Sequence, residues 1–298
     1  MKEIIEILSS VSSFADGEKG ILATVINVNG SGYRLPGARM LMLADGQTVG
    51  TVSGGCLEAD VLERAKKVRE SGNPEVFTYD TTGNEDSVFS LNMGCRGVID
   101  ILLEPVDKDS PLISEMRAAY ERREASENVE VPVAVMLYGA GADAVPFVRI
   151  ASELGWQVTV HDHRPAFLTG SRFPNAFALV SQIIDQPPVI SSDDRTAGVI
   201  MTHNYTRDRI VLPALLKSNV FYVGALGPKR RTEQILDELA DDLTPEQLAR
   251  LYAPVGLDIG ADTPESIALS IIGEIQSVLK TRNGGHLRDR QGSIYDRK

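Results

Sequence analysis

Val133-Ala134-Val135-Met136-Leu137-Tyr138-Gly139-Ala140-Gly141-Ala142-Asp143-Ala144 decides how the second half of this chain folds. A nearly continuous apolar run is the pattern of a strand buried on both faces, and the glycines that follow it open a helix. In this GxGxxA arrangement the first glycine permits the tight turn, the second lets a diphosphate approach the backbone, and the small third residue packs helix on strand. Asp162 lies 21 residues beyond Gly141, where an acid at the end of a second strand binds a ribose hydroxyl. Gly139, Gly141 and Asp162 are therefore candidate nucleotide contacts, although Asp143 inside the loop would repel a diphosphate.

Outward from this stretch, strand-like segments at Val158–Asp162, Phe177–Val180, Gly198–Thr202 and Val220–Val223 alternate with helical ones. The helices fit Ala144–Leu154, Arg207–Leu216, Arg231–Leu239 and Pro264–Leu279. Alternation of this kind predicts a doubly wound parallel sheet of Rossmann type over residues 131–282. His161, His163 and His203, with Asn204 and Tyr205, fall at the expected carboxyl ends of strands, the place where open α/β sheets bind ligands. His203 joins the candidate contacts, and Lys229-Arg230-Arg231 reads either as an anion-binding rim or as a solvated helix start.

The first half carries a different pattern. Strands are expected at Ile21–Val28, at Ala38–Leu43 and Thr48–Val52 around the hairpin signal Asp45-Gly46, and at Val76–Tyr79 and Val98–Glu104. Together with an amphipathic helix in Met1–Ala15 and another over Leu57–Glu70, they form an α+β domain of residues 1–106. Polar residues 107–130 read as a linker region and 283–298 as a mobile tail.

The chain's two cysteines both sit in glycine-rich turns, Ser53-Gly54-Gly55-Cys56 and Met93-Gly94-Cys95-Arg96-Gly97. A thiol in the first turn of a helix meets unpaired N–H groups and the positive end of the dipole, which favours the thiolate. The alternative is that both are small buried hydrophobes. Gly30–Met40 holds Arg34 and Arg39 in a glycine-rich stretch. These arginines either grip a phosphate or pterin edge beside Ser53, Gly54, Gly55 and Cys56, or belong to an ordinary loop in which Arg34 pairs with an acid.

Composition narrows the function. At 298 residues two domains are expected, and 41 acids against 30 bases give a net charge of −11, which disfavours nucleic acid as a partner. The apolar run at Val131–Leu137 is too short to span a membrane, and the N-terminus lacks the pattern of a signal peptide. Two distant cysteines make no disulfide framework, so a reducing cytoplasm is the expected location.

The runs Gly-Ser-x-Tyr-Arg-x-Pro-Gly-Ala-Arg-Met over 30–40 and Gly-Thr-Val-Ser-Gly-Gly-Cys-Leu-Glu over 50–58 resemble the signature of the XdhC/CoxI family. The stretches Tyr138–Ala144, Val158–Phe167, Met201–Asn204, Tyr222–Arg231 and Pro254–Gly260 resemble that family's Rossmann-like domain. The resemblance implies an accessory protein that binds molybdenum cofactor, shields it while a cysteine desulfurase supplies sulfur, and delivers it to a xanthine dehydrogenase-type molybdoenzyme. It also implies that Cys56 and Cys95 contact molybdenum, with Arg96 departing from the usual glycine beside Cys95. A homodimer suits such a handover. Two cysteines cannot hold a Cys₄ iron–sulfur cluster. The alternative reading is an NAD(P)-dependent oxidoreductase in which His203 or Tyr205 moves a proton; a compromise seats the nucleotide part of the molybdenum cofactor on the Rossmann loop.

Overall fold

Alternation of buried and half-buried residues from Gly97 to Glu104 makes the segment Gly97–Val106 the spine of an antiparallel sheet. A computed structural model of the chain describes residues 2–81, 97–239, 242–291 and 294; Cys95 and its turn lie outside the described residues. The described chain divides into two units, 1–132 and 133–298.

In the first unit the strands are β1 (Gly20–Gly30), β2 (Arg39–Met42), β3 (Thr48–Gly50), β4 (Glu75–Asp80) and β5 (Gly97–Val106), in sheet order β3-β2-β1-β5-β4. All pairings are antiparallel. Helix α1 (Lys2–Ser12) precedes them and α2 (Glu58–Ser71) follows β3. Val61, Ala65 and Val68 of α2 pack with Ile21, Ala23, Met40, Met42 and Ile101 on one side. A second cluster joins Ile4, Ile7 and Val11 of α1 to Leu22 and Leu41.

Residues 107–130, expected as a linker, are instead part of this unit. They form α3 (Pro111–Arg117) and a π-helical turn (Ala118–Arg122), and Ile113, Met116 and Ala119 are buried in the α1 cluster with Val129 and Val131. The apolar residues recur every three positions, a helical stripe that the average polarity of the segment conceals.

The second unit is a six-stranded parallel sheet of β6 (Ala134–Tyr138), β7 (Gln157–Asp162), β8 (Ala178–Ser181), β9 (Thr196–Ile200), β10 (Tyr222–Ala225) and β11 (Leu251–Tyr252). Its order is β11-β10-β9-β6-β7-β8, which in the unit's own strand count is the 3-2-1-4-5-6 arrangement of a Rossmann fold read from the far edge. Val135 and Leu137 face a cluster with α4 (Ala144–Glu153) and α8 (Pro264–Leu279), while Met136 and Tyr138 face one with α5 (Tyr205–Leu216) and α6 (Lys229–Asp237). Burial on both faces explains the unbroken apolar run. The short α7 (Pro245–Leu248) and edge strand β11 carry too little periodicity to be read from sequence. In the expected tail, Leu287–Asp289 forms a 3₁₀ turn.

Strand order reverses between β6 and β9. The loops leaving their carboxyl ends, Gly139–Asp143 and Met201–Asn204, therefore frame the crevice.

Candidate functional site

Cys56 is exposed and unbridged, at the approach to α2. Ser53 organises its turn. The Ser53 hydroxyl accepts from the N–H groups of Gly55 and Leu57, both at 3.1 Å, and donates to Glu58 Oε2. Glu58 Oε1 accepts from Ser53 N–H at 2.9 Å and from the Thr51 hydroxyl at 2.6 Å. Burial opposes ionisation of Glu58, but the hydrogen bonds from Ser53 and Thr51 outweigh it, and its pKa lies below the usual carboxylate value. Cys56 Sγ rests 3.7 Å from Ser53 Oγ.

The two glycines of this turn differ in their settings. Gly55 has φ +103°, a conformation closed to most side chains. Gly54 is covered by Tyr33: a Cβ there would lie 3.3–3.5 Å from three atoms of the ring, so the ring faces the glycine. Tyr33 is itself 61% exposed, so an open aromatic surface lies beside the thiol turn. Sequence reasoning misses Tyr33 as a site residue; its place in the Gly30–Met40 signature is the available signal.

The two arginines are not displayed as expected. Arg34 forms an ion pair with Glu3 of α1, the ordinary-loop alternative. Arg39 is buried, donating to Gly37 O at 3.2 Å and Asn128 O at 2.7 Å, with its backbone N–H on Glu3 Oε1 at 3.3 Å. Burial lowers the Arg39 pKa against the pull of Glu3, Glu104 and Glu115. Guanidinium donors directed at these groups tie loop and strand to α1 and to the segment after α3.

In the second unit Gly139, at φ +115°, cannot be replaced: a Cβ would lie 2.2 Å from Met201 O. Asp162 Oδ2 accepts from Ala140 N–H at 2.7 Å, and its two oxygens take the Arg164 guanidinium in a fork at 2.8 and 2.9 Å. Burial opposes its ionisation, but these bonds prevail and hold its pKa at about 2. Asp162 thus braces the glycine loop from below. Asp143 Oδ2 lies 2.7 Å from His203 Nε2, and a Cβ on Gly141 would touch Asp143 Oδ1 at 2.7 Å. His203 has φ +54°, a strained value for a non-glycine residue at the crevice. Arg231 pairs with the buried Asp208, whose carboxyl burial pushes up in pKa, and Asp208 also accepts from the Thr202 hydroxyl. Lys229 lies 3.7 Å from Glu233 one turn on. The loop therefore presents a carboxylate where a diphosphate would bind, and two of the three rim cations already have acidic partners. Among the described residues no group of three or more His, Cys, Asp or Glu is arranged to hold a metal ion.

Fold and site define a two-unit α/β protein, one unit presenting an exposed thiol in a braced glycine turn and the other a Rossmann sheet with an altered glycine loop. A sequence profile described as the XdhC and CoxI family matches residues 13–80, and one described as the XdhC Rossmann domain matches residues 135–275. The chain belongs to the XdhC and CoxI family.

Similar proteins follow suit. One named as a probable xanthine dehydrogenase subunit, from Bacillus subtilis (strain 168), is 28% identical over 316 residues, covering 87% of this chain and 93% of the relative. The molybdenum cofactor insertion chaperone PaoD of Escherichia coli (strain K12) is 26% identical over 297 residues, covering 90% of this chain and 86% of PaoD. A crystal structure described as a xanthine dehydrogenase from Bacillus halodurans matches with a TM-score of 0.75 at 28% identity, over 95% of this chain and 97% of that one.

Proposed function

We propose that this chain is an accessory protein that binds molybdenum cofactor as cargo, shields it during sulfuration by a cysteine desulfurase, and delivers it to a xanthine dehydrogenase-type molybdoenzyme. The observation that carries this reading is Cys56, exposed in a turn that Ser53 and Glu58 hold from beneath. A soft sulfur donor suits a thiophilic metal centre, and a relative of this chain is named a molybdenum cofactor insertion chaperone. In this proposal the Ser53–Glu58 network keeps the thiol turned outward, and the open face of Tyr33 offers a flat surface for a pterin. Arg34 and Arg39 act as braces of that loop through Glu3 and Asn128 rather than as phosphate ligands. Cys95 remains a second candidate ligand, outside the described residues. Against the NAD(P) reading stand the Asp143 carboxylate in the glycine loop and Asp162, whose oxygens are already taken by Arg164 and the Ala140 N–H.

The test is metal and pterin analysis of protein purified without oxygen from molybdate-fed cells, followed by activation of an apo-molybdoenzyme with the desulfurase present. Wild type should carry molybdenum and pterin, and Cys56→Ala should lose about tenfold or more of both content and transfer, the scale of one lost charge-assisted contact. Equal content and transfer in the two proteins would end the proposal.

A further inference from the structure

Charge is divided unevenly along the last helix of the Rossmann unit. Residues 258–265, which enter α8, hold Asp258, Asp262 and Glu265 and no base, whereas residues 280–290, which leave it, hold Lys280, Arg282, Arg288 and Arg290 against the single acid Asp289. In a chain of net charge −11 the second stretch stands out as a basic one. Between the two charged ends α8 turns one face to solvent. Ala268, Ile271, Ile272 and Ile275 are buried in the core, while Glu265, Leu269, Gln276 and Lys280 are exposed along the opposite stripe, at helical spacing.

An apolar surface occupies the middle of that stripe. Leu269 is 54% exposed, and Ile259 and Leu287, from the segments before and after α8, are 52% and 59% exposed. Leu257 joins them. Its side chain lies over Gly273, one turn beyond Leu269, and against Gly284 of the tail, where a Cβ would lie 3.1 Å and 2.7 Å from it. Ile259 follows Leu257 by two residues and Leu287 follows Gly284 by three. The exposed apolar groups therefore gather about Leu257 into a patch rather than standing singly, the arrangement that marks an interaction surface. Beside it the tail lines an open cavity of about 580 Å³, with Leu287 and Ile294 among its walls.

The patch is held in place before anything binds. The Ser270 hydroxyl donates to Leu257 O at 2.6 Å, Leu257 N–H donates to Ser270 O at 3.3 Å, and Gly256 N–H donates to Glu274 Oε2 at 2.9 Å. Ser270 is buried, and Glu274 also accepts from the Tyr222 hydroxyl. These bonds pin the loop to α8, so burying Leu257 and Ile259 against a partner requires little further ordering. Acids at one end and bases at the other then select that partner. Two copies of α8 laid antiparallel about a two-fold axis at the patch bring the acidic start of each against the basic end of the other, with their helix dipoles opposed. Acidic faces elsewhere on two such chains repel.

We propose that the outer face of α8, with the Leu257–Ile259 loop and the tail, is where two copies of this chain pair, Leu269 lying near the axis and the tail cavity of each copy receiving apolar side chains of the other. The interface stands apart from the thiol turn, and the pairing holds whether or not the chain carries molybdenum cofactor. Its adhesion comes from the apolar patch and its specificity from the segregated charges around it.

Sedimentation equilibrium of the full chain tests this. The wild type should dimerise below about 100 μM, more weakly as salt is raised. Leu269→Glu alters an exposed side chain and sets two like charges at the axis, so it should weaken the dimer about thirtyfold or more while melting as the wild type does. Charge reversal gives the sharper reading. Asp258→Lys with Asp262→Lys, and separately Lys280→Glu with Arg288→Glu, should each leave a monomer, because like charges then meet at both contacts. Mixing the two proteins should restore a dimer, because each reversed end meets its opposite. A wild type that stays monomeric at that concentration overturns the proposal, including one that instead co-sediments with the desulfurase or the molybdoenzyme, which would give this face to another protein. So does Leu269→Glu dimerising as tightly as wild type, or a mixture of the two folded charge-reversed proteins that stays monomeric.

Discussion

Glu58 holds the thiol turn with both carboxylate oxygens, taking bonds from Thr51, Ser53 N–H and the Ser53 hydroxyl. Glu58→Gln replaces one acceptor by a donor facing a hydroxyl and should destabilise the turn by about 1–3 kcal/mol, read as faster amide exchange at Gly55 and Leu57. Because its folded pKa is lowered, the Glu58 contribution is present above the ordinary carboxylate pKa and is lost as pH falls through the folded one. His161 gives a second pH signature. Its pKa is depressed to about 4, so the unfolded chain takes up a proton near pH 6.5 while the native one does not. Stability should therefore fall as pH drops from about 6.5 to about 4, and the His161 ring should show no NMR titration above pH 5 or so. Gly139→Ala should unfold the Rossmann unit or cost at least about 3 kcal/mol, since both its φ of +115° and the 2.2 Å approach to Met201 O forbid a methyl group. Thermal unfolding of the variant measures this.

At the scale of elements, α3 carries the clearest lesson. Ile113 and Met116 are fully buried against α1 and β-strand residues Leu22 and Leu41, so Ile113→Ala should cost about 2–5 kcal/mol. Urea unfolding of the first unit measures it, and a change below half a kilocalorie would return 107–130 to linker status. The charged run Glu121–Glu124 masks this helix in the sequence, because mean polarity reports solvent exposure of the outer face and is blind to a narrow apolar stripe. The strands of the Rossmann unit are legible for the opposite reason. Burial on both faces removes alternation and leaves short apolar runs that nothing else in the chain imitates. Helix α2 is legible as well, from Val61, Ala65 and Val68 at helical spacing.

For the whole molecule, the division after Pro132 has a direct consequence. A fragment of residues 1–132 should unfold cooperatively, whereas one ending at 106 loses α3 with Val129 and Val131 and exposes the α1 cluster. Circular dichroism of the two fragments in urea checks it; a cooperative transition in the shorter fragment would contradict this packing. Among the described residues no helix is long and apolar enough to cross a membrane.

The sequence by itself determined what depends on neighbours along the chain: the Rossmann strands and helices other than α7 and β11, the glycine loop after β6, and the thiol turn. It also determined the family through those same local runs. Only the tertiary structure decided what the polar side chains do. Arg34 meets Glu3 across 31 residues, Arg39 meets Asn128 across 89, and His203 meets Asp143 across 60. A hydrogen bond is set by the position and direction of two groups, and sheet order brings together groups whose sequence separation carries no signal. The stacked pair Tyr138 and His161 is of this kind, since strand pairing places the two rings side by side and Gln182, itself held by Arg207, arrives from elsewhere in the unit to meet His161.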